Sequence, residues 1–139
     1  MFVMKRVLVF GTFDFIHPGH KYFFRQAKKC GDFLIAVVTR DMNVKKQKDR
    51  FPVNDEKIRL QNVKKLKIVN KALLGERTIS YNLIKKIKPD VICIGYDQEP
   101  SIYQAKEILR KLGMERIVLK RIKAFKPEIY KSSLVQKKY

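Results

Sequence analysis

Short apolar runs rich in branched residues recur at Arg6 to Phe10, Phe33 to Thr39, Lys71 to Leu74, Val91 to Ile94 and Arg116 to Leu119. Each reads as a strand, because four to seven such residues bounded by polar ones suit a strand buried on both faces. Between the runs lie stretches with helical spacing. Tyr22, Phe23, Ala27 and Cys30 form the first, Ile58, Leu60 and Val63 the second, and Ile79, Leu83, Ile84 and Ile87 the third. Ile102, Ala105, Ile108, Leu109 and Leu112 form the last, which stops at Gly113 as helix C-termini often do. Strand and helix alternate throughout, and parallel strands joined by right-handed helical crossovers are covered on both faces. The pattern predicts one α/β domain over residues 1–139, a doubly wound (Rossmann-like) parallel sheet of five strands with helices on both faces.

Two segments interrupt this rhythm. Asn54 before Asp55 and Glu56 reads as a helix start with acids facing the positive end of the dipole. Ahead of it, Lys45, Lys46, Lys48 and Arg50, closed by Pro52, show no apolar periodicity. That stretch reads as an exposed, mobile basic loop, and residues 41–52 are expected to fold over a bound anion. Near the end, Ser132 and Ser133 before Leu134 and Val135 read as a short capped helix.

Charge then changes the picture. The 139 residues carry a formal net charge of +19, so the surface draws anions. Nucleic acid, nucleotides and phosphorylated metabolites all qualify, and because the basic residues are spread along the chain a solvated surface is the plain alternative. The two cysteines, Cys30 and Cys93, lack the spacing of a zinc site or a disulfide framework and read as reduced core thiols. No apolar run approaches a membrane span and no cleavage pattern follows the first residues, so a soluble, unprocessed cytoplasmic protein without membrane contact is expected.

The chemistry concentrates in Gly11-Thr12-Phe13-Asp14-Phe15-Ile16-His17-Pro18-Gly19-His20, directly after the first strand. In open α/β sheets ligands bind beyond the carboxyl ends of the strands, where strand order reverses, and the first strand usually flanks that point. Pro18 suits a first helical turn, Gly19 lets a ligand approach the backbone, and the free N–H groups there face an anion. His17 and His20 are three apart, so on one helical turn both imidazoles project toward one point. Transfer of a phosphoryl or nucleotidyl group needs charge neutralised on the attacked phosphorus oxygens and on the leaving pyrophosphate, which such donors supply. Two close histidines can also share a metal ion, but only Asp14 stands near as a third ligand, and no protein metal site is predicted. The pattern H-x-G-H arises by chance about once in a few hundred chains of this length.

Gly-Thr-Phe-Asp followed by His-Pro-Gly-His resembles the signature of the cytidylyltransferase-like nucleotidyltransferase superfamily, and the resemblance runs along nearly the whole chain. It implies that His17 and His20 stabilise a pentavalent transition state without a covalent intermediate. It also implies that Gly11, Thr12, Phe13, Asp14, His17, Pro18, Gly19 and His20 contact the nucleotide, with a divalent ion such as Mg²⁺ on the triphosphate. Within the superfamily, Arg40-Asp41, Val44-Lys45-Lys46, Lys48, Arg50, Pro52, Glu56 and Arg59 are similar in order to the archaeal type of FAD synthase. Lys88-Pro89-Asp90-Val91-Ile92 before Gly95-Tyr96-Asp97-Gln98 is similar to it as well. Asp97 is carried over as a nucleotide contact, with a turn-capping aspartate as the plain alternative. Ser132 and Ser133 resemble the family's C-terminal Ser/Thr phosphate motif, with a simple N-cap as theirs. Arg121 stands further from that motif than the family's arginine. Of Lys45, Lys46 and Lys48, all candidates for the loop lysine, we assign Lys46.

The resemblance therefore implies transfer of AMP from ATP to FMN with release of pyrophosphate. One alternative keeps the chemistry and changes the substrates to CTP and glycerol 3-phosphate. A second, of another class, is a nucleic-acid-binding module, against which stands the lack of any recognised binding motif; no sequence-specific nucleic acid is expected. Relatives are often dimers, so a homodimer is among the expected states.

Overall fold

The protein is described here from a computed structural model, over residues 4–77, 81–96, 98 and 101–123. Five strands form one parallel sheet: β1 (Arg6–Gly11), β2 (Phe33–Val38), β3 (Lys71–Leu74), β4 (Val91–Gly95) and β5 (Val118–Ile122). Their order is β3-β2-β1-β4-β5, so the chain builds outward from β1 in one direction and then crosses to its other side. The reversal falls between β1 and β4, and the crevice beyond Gly11 and Gly95 is the place where an open sheet of this kind takes its ligand.

The strands alternate their side chains between two apolar layers. Val7 and Val9 of β1 face one layer, packed with Leu34, Ala36, Val91 and Cys93, and with Phe24, Ala27 and Val63 from helices α1 (Pro18–Lys28) and α3 (Glu56–Lys64). Leu8 faces the other, packed with Ile35, Ile92 and Ile94, and with Ile84, Ala105 and Leu109 from α4 (Asn82–Ile87) and α5 (Ile102–Lys111). Both faces are covered, which is why β1, β2 and β4 read as continuous apolar runs. Cys93 lies 3.8 Å from Cys30, sulfur to sulfur, both thiols free, and burial pushes the Cys93 thiol up to about 12.

Three expectations about local structure change. The stretch read as a loop contains a helix, α2 (Asp41–Lys48), closed by Asp49 at φ 57°. Its inner face is Val44 and a buried polar residue, Asn43, whose Nδ2 donates to the Glu76 carbonyl, so the contact that docks it is only half apolar. Second, the N-cap of α3 is Asp55, whose side chain accepts from the Ile58 N–H, whereas Asn54 turns back toward Asp14. Third, β5 lies two residues later than the apolar run suggests and includes Lys120 and Arg121. As an edge strand paired with β4 alone, it alternates exposed and partly buried positions. The capped helix read at Ser132 and Ser133 lies outside the described residues.

Candidate active site

The signature segment leaves the end of β1, makes one sharp turn and enters α1. Gly11 is the last residue of the strand, still paired with Val38 of β2. A Cβ on Gly11 would come 2.5 Å from Cζ of Phe13, so glycine is required here by the folded-back phenyl ring. Asp14 is buried, and its two carboxylate oxygens accept from the backbone N–H groups of Val53 (2.7 Å) and Asn54 (2.8 Å). The loop is thereby tied to the entrance of α3.

His17 and His20 close the first turn of α1 as a reciprocal cap. Nδ1 of His17, the N-cap residue, accepts from Gly19 N–H at 3.1 Å, and Nδ1 of His20 accepts from the His17 N–H at a longer 3.4 Å. Pro18 occupies the first helical position, where its missing N–H costs nothing. The two imidazoles stack with centroids 3.9 Å apart and an interplanar angle of 28°. An Nδ1 that accepts a backbone N–H carries no proton, so the proton of each neutral ring belongs on Nε2. Burial holds the His20 pKa down to about 3, assisted by His17, opposed by a hydrogen bond to the Phe15 backbone and assisted again by Lys48. Burial lowers that of His17 too. The pair is thus a set of neutral donors at the positive end of a helix, which suits charge that appears only during reaction.

Of the candidate lysines, Lys48 reaches this segment. Its Nζ lies 3.2 Å from the Thr12 hydroxyl at the protein surface, whereas Lys45 pairs with Asp49; Lys46 is exposed, as Lys48 is. Beneath the turn runs Arg59, with no exposed surface. Its guanidinium donates to the carbonyls of Asn54 (3.0 Å) and Thr12 (2.8 Å) and to the Asp41 carboxylate (2.6 Å). Asp41 and Glu56 brace each other reciprocally, and Arg40 bridges Glu56 and the Gly75 carbonyl. The Asp41 N–H, and secondarily Arg40, hold the Glu56 carboxyl below its usual range against the opposing effect of burial.

Across the crevice, Gln98 spans the point where strand order reverses. Its Oε1 accepts from Gly95 N–H at 2.7 Å, and its Nε2 donates to the Phe10 carbonyl at 2.6 Å, joining the ends of β4 and β1. Arg121 donates to the carbonyls of Gly95 (2.6 Å) and Tyr96 (3.1 Å), so it braces the loop after β4. Asp97 itself, Ser132 and Ser133 lie outside the described residues. Sequence reading missed the bracing roles of Arg59, Gln98 and Arg121. A lone Gln after a strand or an Arg on a helix reads as surface, although the motifs that contain Arg59 and Gln98 stand in the segments quoted for the resemblance.

One side of His17 opens onto a cavity of about 540 Å³, lined also by Phe15, Pro18, Lys21, Asn62 and Leu66, a volume typical of sites for small ligands. Among the described residues no group of three His, Cys, Asp or Glu could hold a metal ion, and none of the helices is long and apolar enough to cross a membrane.

The sequence profile described as cytidylyltransferase-like matches residues 8–138. The chain is 46% identical over 117 residues to an FAD synthase of Ferroglobus placidus, covering 84% of this chain and 76% of the relative. It is 40% identical over 134 residues to an FAD synthase of Pyrococcus abyssi, covering 96% of this chain and 90% of that one. Among solved structures, the lipopolysaccharide core biosynthesis protein from Thermoplasma volcanium superposes with a TM-score of 0.78 at 34% identity, covering 88% of this chain and 98% of its own.

Proposed function

The chain belongs to the cytidylyltransferase-like family, and from that premise we propose that it is an FMN adenylyltransferase, an FAD synthase, releasing pyrophosphate. The observation that carries the chemistry is the reciprocal histidine cap: two stacked, neutral imidazoles at the N-terminus of α1, beside the reversal of strand order. The 46% identity to one FAD synthase and 40% to another carry the choice of substrates.

A phosphate oxygen of FMN attacks the α-phosphorus of ATP, the bond to the bridging oxygen breaks, and pyrophosphate leaves with that electron pair. His17, His20, the N–H groups of the first turn and a lysine stabilise the charge that builds on the phosphorus oxygens and the leaving group. The lysine of this set is Lys48, whose ammonium already reaches Thr12, in place of Lys46. Gly11 to Asp14 shape the turn that receives the triphosphate, and Asp97, Ser132 and Ser133 join the nucleotide set on resemblance. A divalent ion would neutralise phosphate charge. Asp14 spends both carboxylate oxygens on the backbone of Val53 and Asn54, so such an ion would take its ligands chiefly from phosphate oxygens.

The high positive charge then serves small anions rather than a nucleic-acid sequence, the enzyme works in the cytoplasm, and a homodimer is among the assemblies that the resemblance to often dimeric relatives suggests. The test is pyrophosphate release from ATP and from CTP, each offered FMN, glycerol 3-phosphate and other phosphate esters. Turnover is expected with ATP and FMN. Turnover with CTP and glycerol 3-phosphate instead would move the assignment within the family, and no release from any pair would overturn it.

A further inference from the structure

Phe13 has a backbone that its side chain should avoid. Among the described residues three other than glycine have positive φ: Phe13 (52°), Asp49 (57°) and Lys88 (54°). Asp49 and Lys88 are the C-caps of α2 and α4, where a left-handed residue routinely ends a helix. Phe13 caps nothing. It follows a strand, is buried, and carries a bulky side chain, for which this region is unfavourable.

The surroundings over-determine the strained residue, as strain requires in order to persist. On one side the Thr12 carbonyl is held by Arg59, and on the other the Asp14 carboxylate is held by the backbone of Val53 and Asn54. The left-handed turn between these anchors throws the phenyl ring back over Gly11 and under α1. There it packs 5.0 Å from the ring of Phe24 and meets the imidazole of His20 at 5.6 Å and 76°, a T-shaped contact. His20 is thus bracketed by His17 stacked nearly parallel and Phe13 nearly perpendicular.

We propose that the side chain of Phe13 is a positioning residue for His20: it fixes the plane of the imidazole against His17 and keeps water from it, and the strained backbone exists to place that ring. The inference rests on His20 acting in nucleotidyl transfer, and it adds a reason for phenylalanine in the signature apart from any backbone contact to nucleotide. The charged or titratable groups facing His20 are His17 on its own turn and Lys48 from α2, both of which oppose its protonation. The apolar wall keeps the ring a neutral donor through the ordinary pH range.

Phe13→Leu and Phe13→Met test this, because both keep an apolar side chain and the same backbone demand while removing the flat ring. The chain has two histidines, so their ring protons can be followed separately by NMR, assigned with His17→Asn. In the wild type the His20 signal should stay still between pH 5 and 8; in both variants it should titrate, with its midpoint moved toward the ordinary histidine value. With ATP and FMN, kcat should fall on the order of tenfold to a hundredfold while the KM for nucleotide changes little. Phe24→Leu is the control for lost core volume and should lower the melting temperature without making His20 titrate. If His20 remains silent to pH in a folded Phe13 variant, or titrates equally in Phe24→Leu, the positioning role is overturned. The NMR readout needs no turnover, so it stands or falls apart from the substrate assignment.

Discussion

Arg59 and Asp41 meet 2.6 Å apart beneath the signature turn, the guanidinium without exposed surface and the carboxylate about a quarter exposed. The pair joins the start of α2 to the middle of α3, and the same guanidinium holds the Thr12 carbonyl above it. A buried arginine with its acceptors in place is a modest stabiliser, but removing one partner leaves polar groups stranded in the interior. Arg59→Ala should therefore cost about 3–5 kcal/mol in urea unfolding. Asp41→Asn, at the wetter end, should cost about 1–2 kcal/mol. An equal and small effect of both would show that the network does not hold the turn.

The histidine cap allows structure and catalysis to be separated. His17→Ala removes an N-cap as well as a donor and should lower stability by about 1 kcal/mol. Asn is a good N-cap and Gln suits the third helical position of a capping box, so His17→Asn and His20→Gln should keep that stability while losing the ring donor. All the substitutions should reduce kcat, each by about 3 kcal/mol in the barrier, with weaker effects on nucleotide KM. Thermal melts beside steady-state kinetics decide it, and near-normal kcat in His20→Gln would remove that ring from the mechanism.

Acid should weaken the fold through His20. Its folded pKa, about 3, lies below the 6.5 of the free side chain, so between those values the unfolded chain binds a proton that the folded one refuses. Stability is complete above 6.5 and declines as pH falls toward about 3. Glu56, held below its usual range by the Asp41 N–H, adds a loss in the same direction in the carboxylate range. In His20→Gln the decline from pH 6.5 to about 4.5 should flatten. Melting temperatures measured across that window check this, and an unchanged slope would mean that His20 is not the group responsible.

The parts of the molecule that sequence reveals are those decided locally. β1, β2 and β4 are buried on both faces, so every residue of Val7–Val9 or Leu34–Val38 had to be apolar. The reciprocal cap is equally local, since His17 and His20 share one turn. Helix α2 is different, because its register is fixed by contacts from Glu76 and Glu56, far along the chain, and only Val44 marks its inner side by hydrophobicity. The burial of Arg59 follows from Thr12, 47 positions away, and the clamp of Gln98 from Phe10, 88 positions away. Polar side chains that are buried by distant partners leave no periodicity, so composition counts them as surface.

That distinction bears on which lysine works. Read as a loop, residues 41–52 would let any lysine swing inward and would favour Lys46 only by resemblance. As a helix capped by Asp49, whose N–H donates to the Lys45 carbonyl at 2.8 Å, the segment holds Lys48 beside Thr12, and the contact with Thr12 rather than burial sets it apart from Lys46. Lys48→Ala should then lower kcat with ATP and FMN by about tenfold or more, since a lost charge-assisted donor is worth roughly 1.5–3 kcal/mol, while Lys46→Ala should be nearly silent. The helix must also exist before nucleotide arrives. Without nucleotide, the amides of Val44 and Asp49 should exchange more slowly than those of an unstructured peptide, and adding a non-hydrolysable ATP analogue with magnesium should slow exchange mainly in residues 49–53. Protection throughout 42–49 that appears only with nucleotide would restore the lid reading, and with it equal claims for Lys46 and Lys48. A preformed helix with an inert Lys48 would instead leave the donors of α1 as the whole charge-stabilising set on this side of the crevice.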